Sequence, residues 1–264
     1  LVPLTVSGGR SGVCGAAIPV YGGVVLDMKL MTGIVTADIE SGVVEVLAGT
    51  FGPALESSLQ AHHGLTVGHF PQSFDISTVG GWIACRGAGQ FSTRYGKIED
   101  IVVGLEVVLA DGTIIHTGGA PAASDGPDLT SMFVGSEGQL GIVTRAWLRA
   151  HSVPTHSAKA AYSFPDFQSG IAALRDTIHG GATPAVLRLY DAAESKRSHG
   201  MDGTRAALIV FDEGSQQVVE STMVAVAQAA ATHGGKVENT QLVDNWFEHR
   251  NDTTALQALT QKGF

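Results

Sequence analysis

Residues 71–90 read PQSFDISTVGGWIACRGAGQ, a run of hydroxyl-bearing and small side chains broken by glycine. Upstream lies a second small-residue loop, Ser7-Gly8-Gly9-Arg10-Ser11-Gly12-Val13-Cys14-Gly15, and downstream a third, Gly135-Ser136-Glu137-Gly138-Gln139-Leu140-Gly141. Each adjoins an apolar strand pattern. Glycine lets the main chain approach a ligand closely, and the bared N–H groups then bind phosphate oxygens. Three such loops imply backbone wrapped around a long, phosphate-bearing ligand. The spacing matches neither common nucleotide motif. Gly89 and Gly96-Lys97 leave six residues between the glycines where a P-loop has about four, and Ile98 stands where Ser or Thr belongs. Gly9, Gly12 and Gly15 do not follow the dinucleotide-binding spacing either.

Taken in this order, the loops resemble the FAD-binding domain of the flavoprotein family that includes vanillyl-alcohol oxidase. Within it, Gly68-His69-Phe70-Pro71-Gln72-Ser73, Ser77-Thr78-Val79-Gly80-Gly81-Trp82 and Tyr95-Gly96-Lys97-Ile98-Glu99-Asp100 look most like alkyldihydroxyacetonephosphate synthases. The similarity runs from near Pro3 to near Ser195 and thins beyond Lys196. It implies an α+β protein. A two-subdomain FAD-binding domain of vanillyl-alcohol oxidase type is expected over residues 1–150, its N-terminal part missing. A partial, ferredoxin-like α/β cap that binds substrate is expected over residues 151–264. The ends read as those of a fragment, and the family's best-known catalytic residues would lie beyond residue 264, so none is assigned.

The resemblance also implies roles. Ser7, Gly8, Gly9, Arg10, Ser11, Gly12 and Val13 would form the pyrophosphate cradle. Arg10 replaces a glycine, at the point where covalently flavinylated relatives carry histidine. Arginine cannot form that histidyl bond, so FAD is expected to be held non-covalently, with the guanidinium near phosphate. Pro71, Gln72, Ser73, Ser77, Thr78, Gly80 and Gly81 would run beside the isoalloxazine and pyrophosphate, the two glycines allowing close approach. Ala84, Cys85, Arg86 and Gly87 would follow on the same face, whereas Trp82 and Ile83 read as core. Glu137, Gly138, Gly141, Ile142 and Val143 would close on the adenosine side.

Arg188 interrupts an apolar strand pattern, and a buried guanidinium normally has an anionic partner. The synthases carry an arginine at this place, which makes Arg188 the substrate-binding candidate. A salt bridge to Asp191 or Glu194 is the competing reading. The function implied is exchange of the acyl group of acyl-dihydroxyacetone phosphate for a long-chain alcohol in ether-lipid synthesis. An FAD-dependent D-2-hydroxy acid dehydrogenase or oxidase is the alternative, and a non-catalytic FAD-binding subunit the third.

Composition narrows the classes further. Net charge is −9 with no Lys/Arg run, which argues against a nucleic-acid partner. No segment reaches the roughly eighteen apolar residues of a membrane span; peripheral membrane contact stays open for a lipid-like substrate. Cys14 and Cys85 read as reduced thiols packed as small residues, which suggests a cytoplasmic setting. A homodimer is expected. His62-His63 and the other histidines show no metal-ligand spacing, so no metal is expected, and His69 reads as a satisfied core or rim residue. No Gly-x-Ser-x-Gly elbow supports hydrolase chemistry.

Periodicity predicts strands at residues 24–28, 43–48 and 141–150, a helix over 51–64 with Leu55 and Leu59 on one face, and a hairpin turning at Asp111-Gly112. A short helix is predicted at 129–133. Beyond residue 154 the order is strand, helix, strand, strand, helix, with Phe167, Ile171 and Leu174 spaced for burial.

Overall fold

A computed structural model describes residues 2–118 and 126–251. Residues 252–264, the end of the expected cap, lie outside the described residues. The chain divides into two compact units, Leu1–Val153 and Pro154–Phe264.

The first unit runs β1 (Leu4–Ser7), β2 (Val24–Asp27), β3 (Ile34–Asp38), β4 (Val43–Leu47), α1 (Gly52–His63), β5 (Leu65–Thr66), α2 (Val79–Ala84), α3 (Ser92–Tyr95), α4 (Ile98–Ile101), β6 (Val102–Val108), β7 (Ile114–Gly118), α5 (Leu129–Phe133), β8 (Ile142–Arg149) and β9 (His151–Ser152). Strands β3-β4-β8-β6-β7 form an antiparallel sheet, β1 pairs with β2 in parallel, and β5 pairs with β9. Period-two alternation turns Val44, Val46, Leu105, Val107, Ala146 and Leu148 inward, all fully buried. The outward face carries charge instead: Arg145 bonds Glu45 at 2.6 Å, and His116 stands 3.1 Å from Glu106.

Helix α1 begins with Pro53 in its first turn and stops at Gly64, whose φ of 63° only glycine adopts freely. Leu55 and Leu59 join the sheet's core as their spacing predicts. On the same helix Glu56 is buried and accepts from Thr66 Oγ1 at 2.7 Å, Val67 N at 2.8 Å and Gln60 Nε2 at 3.0 Å. That carboxylate fixes the chain that leads into the loop at residues 71–90.

The second unit runs β10 (His156–Phe164), α6 (Phe167–His179), β11 (Val186–Tyr190), α7 (Ala192–His199), β12 (Ala206–Gly214), α8 (Gln216–Thr232), β13 (Lys236–Glu238) and α9 (Gln241–His249). The sheet order is β11-β12-β10-β13 and every pairing is antiparallel, the ferredoxin-like arrangement. Tyr162, Phe164, Leu208, Val210 and Val226 make its core.

Helix α6 departs from its spacing at two of three positions, while Leu174 packs against the core as expected. Phe167 and Ile171 are 41% and 40% exposed, while Gly170, Ala173 and Thr177 are the buried face of α6. The reason is steric: a Cβ on Gly170 would stand 2.6 Å from Leu189 Cδ1. The helix rides so close to β11 that only small side chains fit beneath it. Among the described residues no helix is long and apolar enough to cross a membrane.

Candidate cofactor site

The three glycine-rich loops meet in the first unit, and the middle one holds the other two. Residues 77–78 pack directly under the first loop. A Cβ on Gly9 would lie 2.9 Å from the carbonyl carbon of Ile76 and closer still to its oxygen, and one on Gly8 would overlap Thr78 Oγ1. On the other side, Gly135 N donates to Ile83 O at 2.8 Å and Glu137 N to Ala84 O at 3.0 Å. These bonds engage carbonyls at the end of α2, where Ile83 O, among the described residues, otherwise accepts only the long 3.3 Å turn bond from Arg86 N. Thr78 caps the start of α2 by accepting from Gly81 N at 3.3 Å.

Between the loops is a cavity of about 420 Å³, within the range of small-molecule and cofactor sites. The first loop contributes Gly8, Gly9, Arg10, Ser11, Gly12 and Val13 to its wall. The second contributes Pro71, Ser73, Thr78, Gly80, Gly81, Ala84, Cys85 and Gly87, and the third Glu137, Gly138, Gly141, Ile142 and Val143. Four predicted residues are not in that wall. Ser7 is buried and accepts from Arg10 Nε at 2.8 Å, while Ser77 accepts from Trp82 Nε1 at 2.6 Å. Gln72 is exposed, and Arg86 pairs with Glu99 at 3.2 Å.

The wall also contains Cys14, Ala88 and Ser136, which lie within the three loops, and Val6, Ala16, Ala17, Met28 and Ala48, which the sequence did not single out. Trp82 is both core, at 3% exposure, and wall, so reading it as core alone was incomplete. The cysteines are free thiols as expected, but both are exposed on the cavity wall rather than packed inside. Partial desolvation by the surrounding wall, with smaller contributions from nearby Glu137 and Cys14, pushes the Cys85 thiol up.

Backbone strain marks the same place. Arg10 (φ 58°), Arg86 (φ 56°) and Glu137 (φ 50°) are the non-glycine residues at positive φ among the described residues, one in each loop. Such conformations cost on the order of 1–3 kcal/mol each and gather at functional sites. A left-handed residue within a turn also points successive N–H groups into one concavity, which suits an anion. Arg10 places its guanidinium there, with Nη2 3.9 Å from Asp27 Oδ2 and the side chain mostly in solvent.

His69 lies behind the second loop. It is buried and neither ring nitrogen has a hydrogen-bond partner, so the expectation of a satisfied histidine is overturned. Leaving such groups unpaired costs about 1–3 kcal/mol. Burial holds the imidazole down at about 4, against an ordinary 6.5. Between those values the unfolded chain binds a proton that the folded protein excludes. Stability is therefore fully present above pH 6.5 and falls as the pH drops toward 4, by roughly 3 kcal/mol in all. Urea unfolding at pH 7, 5.5 and 4.5 should show this loss, and His69→Gln should flatten it. An acid limb unchanged by that substitution would place the loss elsewhere.

In the second unit Arg188 is exposed, because Leu187 and Leu189 take the face that packs against the core under α6 and α8. The expected burial and the bridge to Asp191 or Glu194 are both overturned. Glu194 pairs with Arg197, Asp191 caps α7, and Arg188 lies 5.7 Å from the Tyr190 ring centroid and 5.4 Å from that of Trp246. Aromatic faces hold a guanidinium without neutralising it. No cluster of metal-ligating side chains occurs among the described residues.

Family models agree with this geometry. The FAD binding domain matches residues 1–118, and the C-terminal domain of FAD linked oxidases matches residues 153–264. The FAD-linked oxidoreductase YgcU of Escherichia coli (strain K12) is 34% identical over 95% of this chain and 52% of its own length. Alkyldihydroxyacetonephosphate synthase of Dictyostelium discoideum is 33% identical over 77% of this chain and 34% of its own. Glycolate oxidase subunit GlcD of Bacillus subtilis (strain 168) is 34% identical over 84% and 48%. A solved alkyldihydroxyacetonephosphate synthase superposes with a TM-score of 0.83 at 27% identity, covering 94% of this chain and 49% of that one. The chain thus spans about half the length of YgcU and GlcD, and less of the Dictyostelium synthase. A cavity walled by three glycine loops, with left-handed turns and one arginine, offers the backbone N–H groups and the positive charge that suit a pyrophosphate. The chain belongs to the FAD-linked oxidoreductases of vanillyl-alcohol oxidase type, and FAD is its cofactor.

Proposed function

We propose that the protein is an FAD-dependent enzyme that exchanges the acyl group of acyl-dihydroxyacetone phosphate for a long-chain alcohol. The observation that carries this is the likeness to an alkyldihydroxyacetonephosphate synthase over nearly the whole chain, at a TM-score of 0.83. The run Tyr95-Gly96-Lys97-Ile98-Glu99-Asp100 supports it. Bound FAD supplies the reactive ring, while the chain binds and orients it. Backbone N–H groups at Gly8, Gly9, Ser11 and Gly12 hold the pyrophosphate, and Arg10 offsets its charge. Ser73, Thr78, Gly80 and Gly81 line the stretch beside the flavin. Residues 137–143 hold the adenosine side. In the second unit Arg188, stacked by Tyr190 and Trp246, offers its planar fork to the phosphate of a lipid-like substrate. The same reading has the protein working as a cytoplasmic homodimer in peripheral contact with a membrane.

A second reading rests on the likeness to GlcD: an FAD-dependent D-2-hydroxy acid dehydrogenase, in which Arg188 would bind the substrate carboxylate. Full-length protein given palmitoyl-dihydroxyacetone phosphate and labelled hexadecanol should form the alkyl product and release palmitate, with no net flavin reduction. Anaerobic bleaching of the flavin by D-lactate or glycolate, without exchange, would decide for the second reading.

Arg10 also bears on how the cofactor is held. Flavin colour should pass into the supernatant on acid precipitation, both for the wild type and for Arg10→His, because a histidine alone does not build the attachment site. Colour retained in the wild-type pellet would overturn non-covalent binding.

A further inference from the structure

Cys14 and Cys85 are free thiols, both exposed and both on the wall of the cofactor cavity. They come from different loops. Cys14 stands two residues beyond Gly12 in the first loop, and Cys85 ends α2 in the second, its N–H donating to Gly81 O at 3.1 Å. Cys14 is among the groups whose charge raises the Cys85 thiol, so the two thiols feel each other. A disulfide reagent attacks a cysteine only where it can reach the sulfur. Here such a reagent and FAD would compete for the same space. A tripeptide-sized adduct would take up much of the cavity of about 420 Å³. The same wall carries Arg10 and the left-handed turns that suit an anion, so a thiol compound bearing carboxylates matches it best.

We propose that Cys14 and Cys85 are a modification site that controls FAD loading: an anionic low-molecular-weight disulfide thiolates them in the apoprotein, and the adduct and FAD exclude each other. This rests on the reading that FAD occupies this cavity. The reaction is exchange. The cysteine loses its proton to solvent and its thiolate attacks one sulfur of the disulfide. An S–S bond to the protein forms, the reagent's own S–S bond breaks, and the departing thiolate takes up a proton. The protein sulfur is oxidised and the leaving sulfur reduced, so no other oxidant is needed. Desolvation raises the Cys85 thiol and slows its attack. Because the exclusion is mutual, bound FAD protects the thiols as strongly as thiolation weakens FAD binding.

The test uses the full-length apoprotein, treated with oxidised glutathione or left untreated, then freed of reagent and titrated with FAD. Treatment should weaken FAD binding by about tenfold or more, and dithiothreitol should restore it. Peptide mass spectrometry should place the glutathionyl groups on Cys14 and Cys85, and FAD added first should keep them off. Cys14→Ser, Cys85→Ser and the double variant are each compared with their own untreated form. The double variant should lose the sensitivity, and Cys85→Ser should keep more of it than Cys14→Ser. Thiols that do not react in the apoprotein, or a thiolated protein that binds FAD as the untreated one does, would overturn the proposal. So would a treated double variant that still loses FAD binding. If a serine variant does not fold, the mapped adducts and the FAD protection in the wild type decide. An untreated wild type that takes up no FAD would instead overturn the reading of the cavity.

Discussion

Gly9→Ala is expected to lower the stability of the apoprotein by about 3 kcal/mol, a melting shift of roughly 5–10 °C. The added methyl would sit 2.9 Å from the Ile76 carbonyl carbon and 3.0 Å from Ser77 Cα, and nearer still to the Ile76 oxygen. All three are backbone atoms, so no rotamer change relieves the clash. The first loop must lift away from the second, which opens the cavity between them. FAD affinity should therefore fall together with stability, on the order of a hundredfold. Differential scanning of the apoprotein and titration with FAD measure the two effects separately. Wild-type melting in Gly9→Ala would mean that these loops do not touch as described.

The clash also shows what a glycine in these loops contributes. From sequence alone, Gly80 reads as room for the approaching cofactor. In the structure its missing side chain faces Ala48, whose Cβ and carbonyl oxygen would lie 2.9 and 3.0 Å from an added Cβ. Gly80 N also donates to Ala48 O at 2.7 Å. Here glycine lets α2 dock on the end of β4, and the cofactor gains only because the wall is then thin. Gly141, whose Cβ would stand 2.6 Å from Val107 Cγ1, belongs to the same class. The sequence announces small residues, but whether each one faces ligand or protein depends on packing between segments far apart in the chain.

That distinction runs through the whole molecule. The Asp111-Gly112 hairpin, helix α1 with its Gly64 stop, and the short helix α5 were legible because their signals are local. The ferredoxin-like order was legible from element succession, although β13, with three residues, was too short to show a period. The face of α6 was legible only in part. Of the stripe Phe167, Ile171 and Leu174, Leu174 packs against the core, yet beside it the sheet took Gly170 and Ala173 because the helix axis sits close to β11. Arg188 misled for a related reason, since alternation along β11 puts it opposite Leu187 and Leu189, out of the core.

In the cavity, Val6, Met28 and Ala48 had no signal at all. An apolar residue at a strand end looks the same whether it meets another side chain or a ligand. Strain was equally silent: nothing in the residue types Arg10, Arg86 and Glu137 announces a positive φ, and only the backbone shows that each loop carries one.

Gly12→Val separates ligand-facing from protein-facing glycine most cleanly. Gly12 lines the cavity, and a Cβ there would meet nothing within 4 Å. It is not among the glycines at positive φ, so a branched side chain adds no steric conflict with the fold and no left-handed strain. The apoprotein should melt within about 1 °C of wild type, because surface substitutions away from special features change stability by no more than about 0.5 kcal/mol. FAD affinity should nonetheless fall on the order of a hundredfold, equivalent to about 2.7 kcal/mol, since the isopropyl group would occupy the space assigned to the pyrophosphate and shield neighbouring N–H groups. The pairing with Gly9→Ala gives the result its meaning: one variant loses fold and cofactor together, the other loses cofactor alone. If Gly12→Val binds FAD as the wild type does, the pyrophosphate does not lie against the first loop, and the roles given to Gly8, Arg10 and Ser11 fail with it.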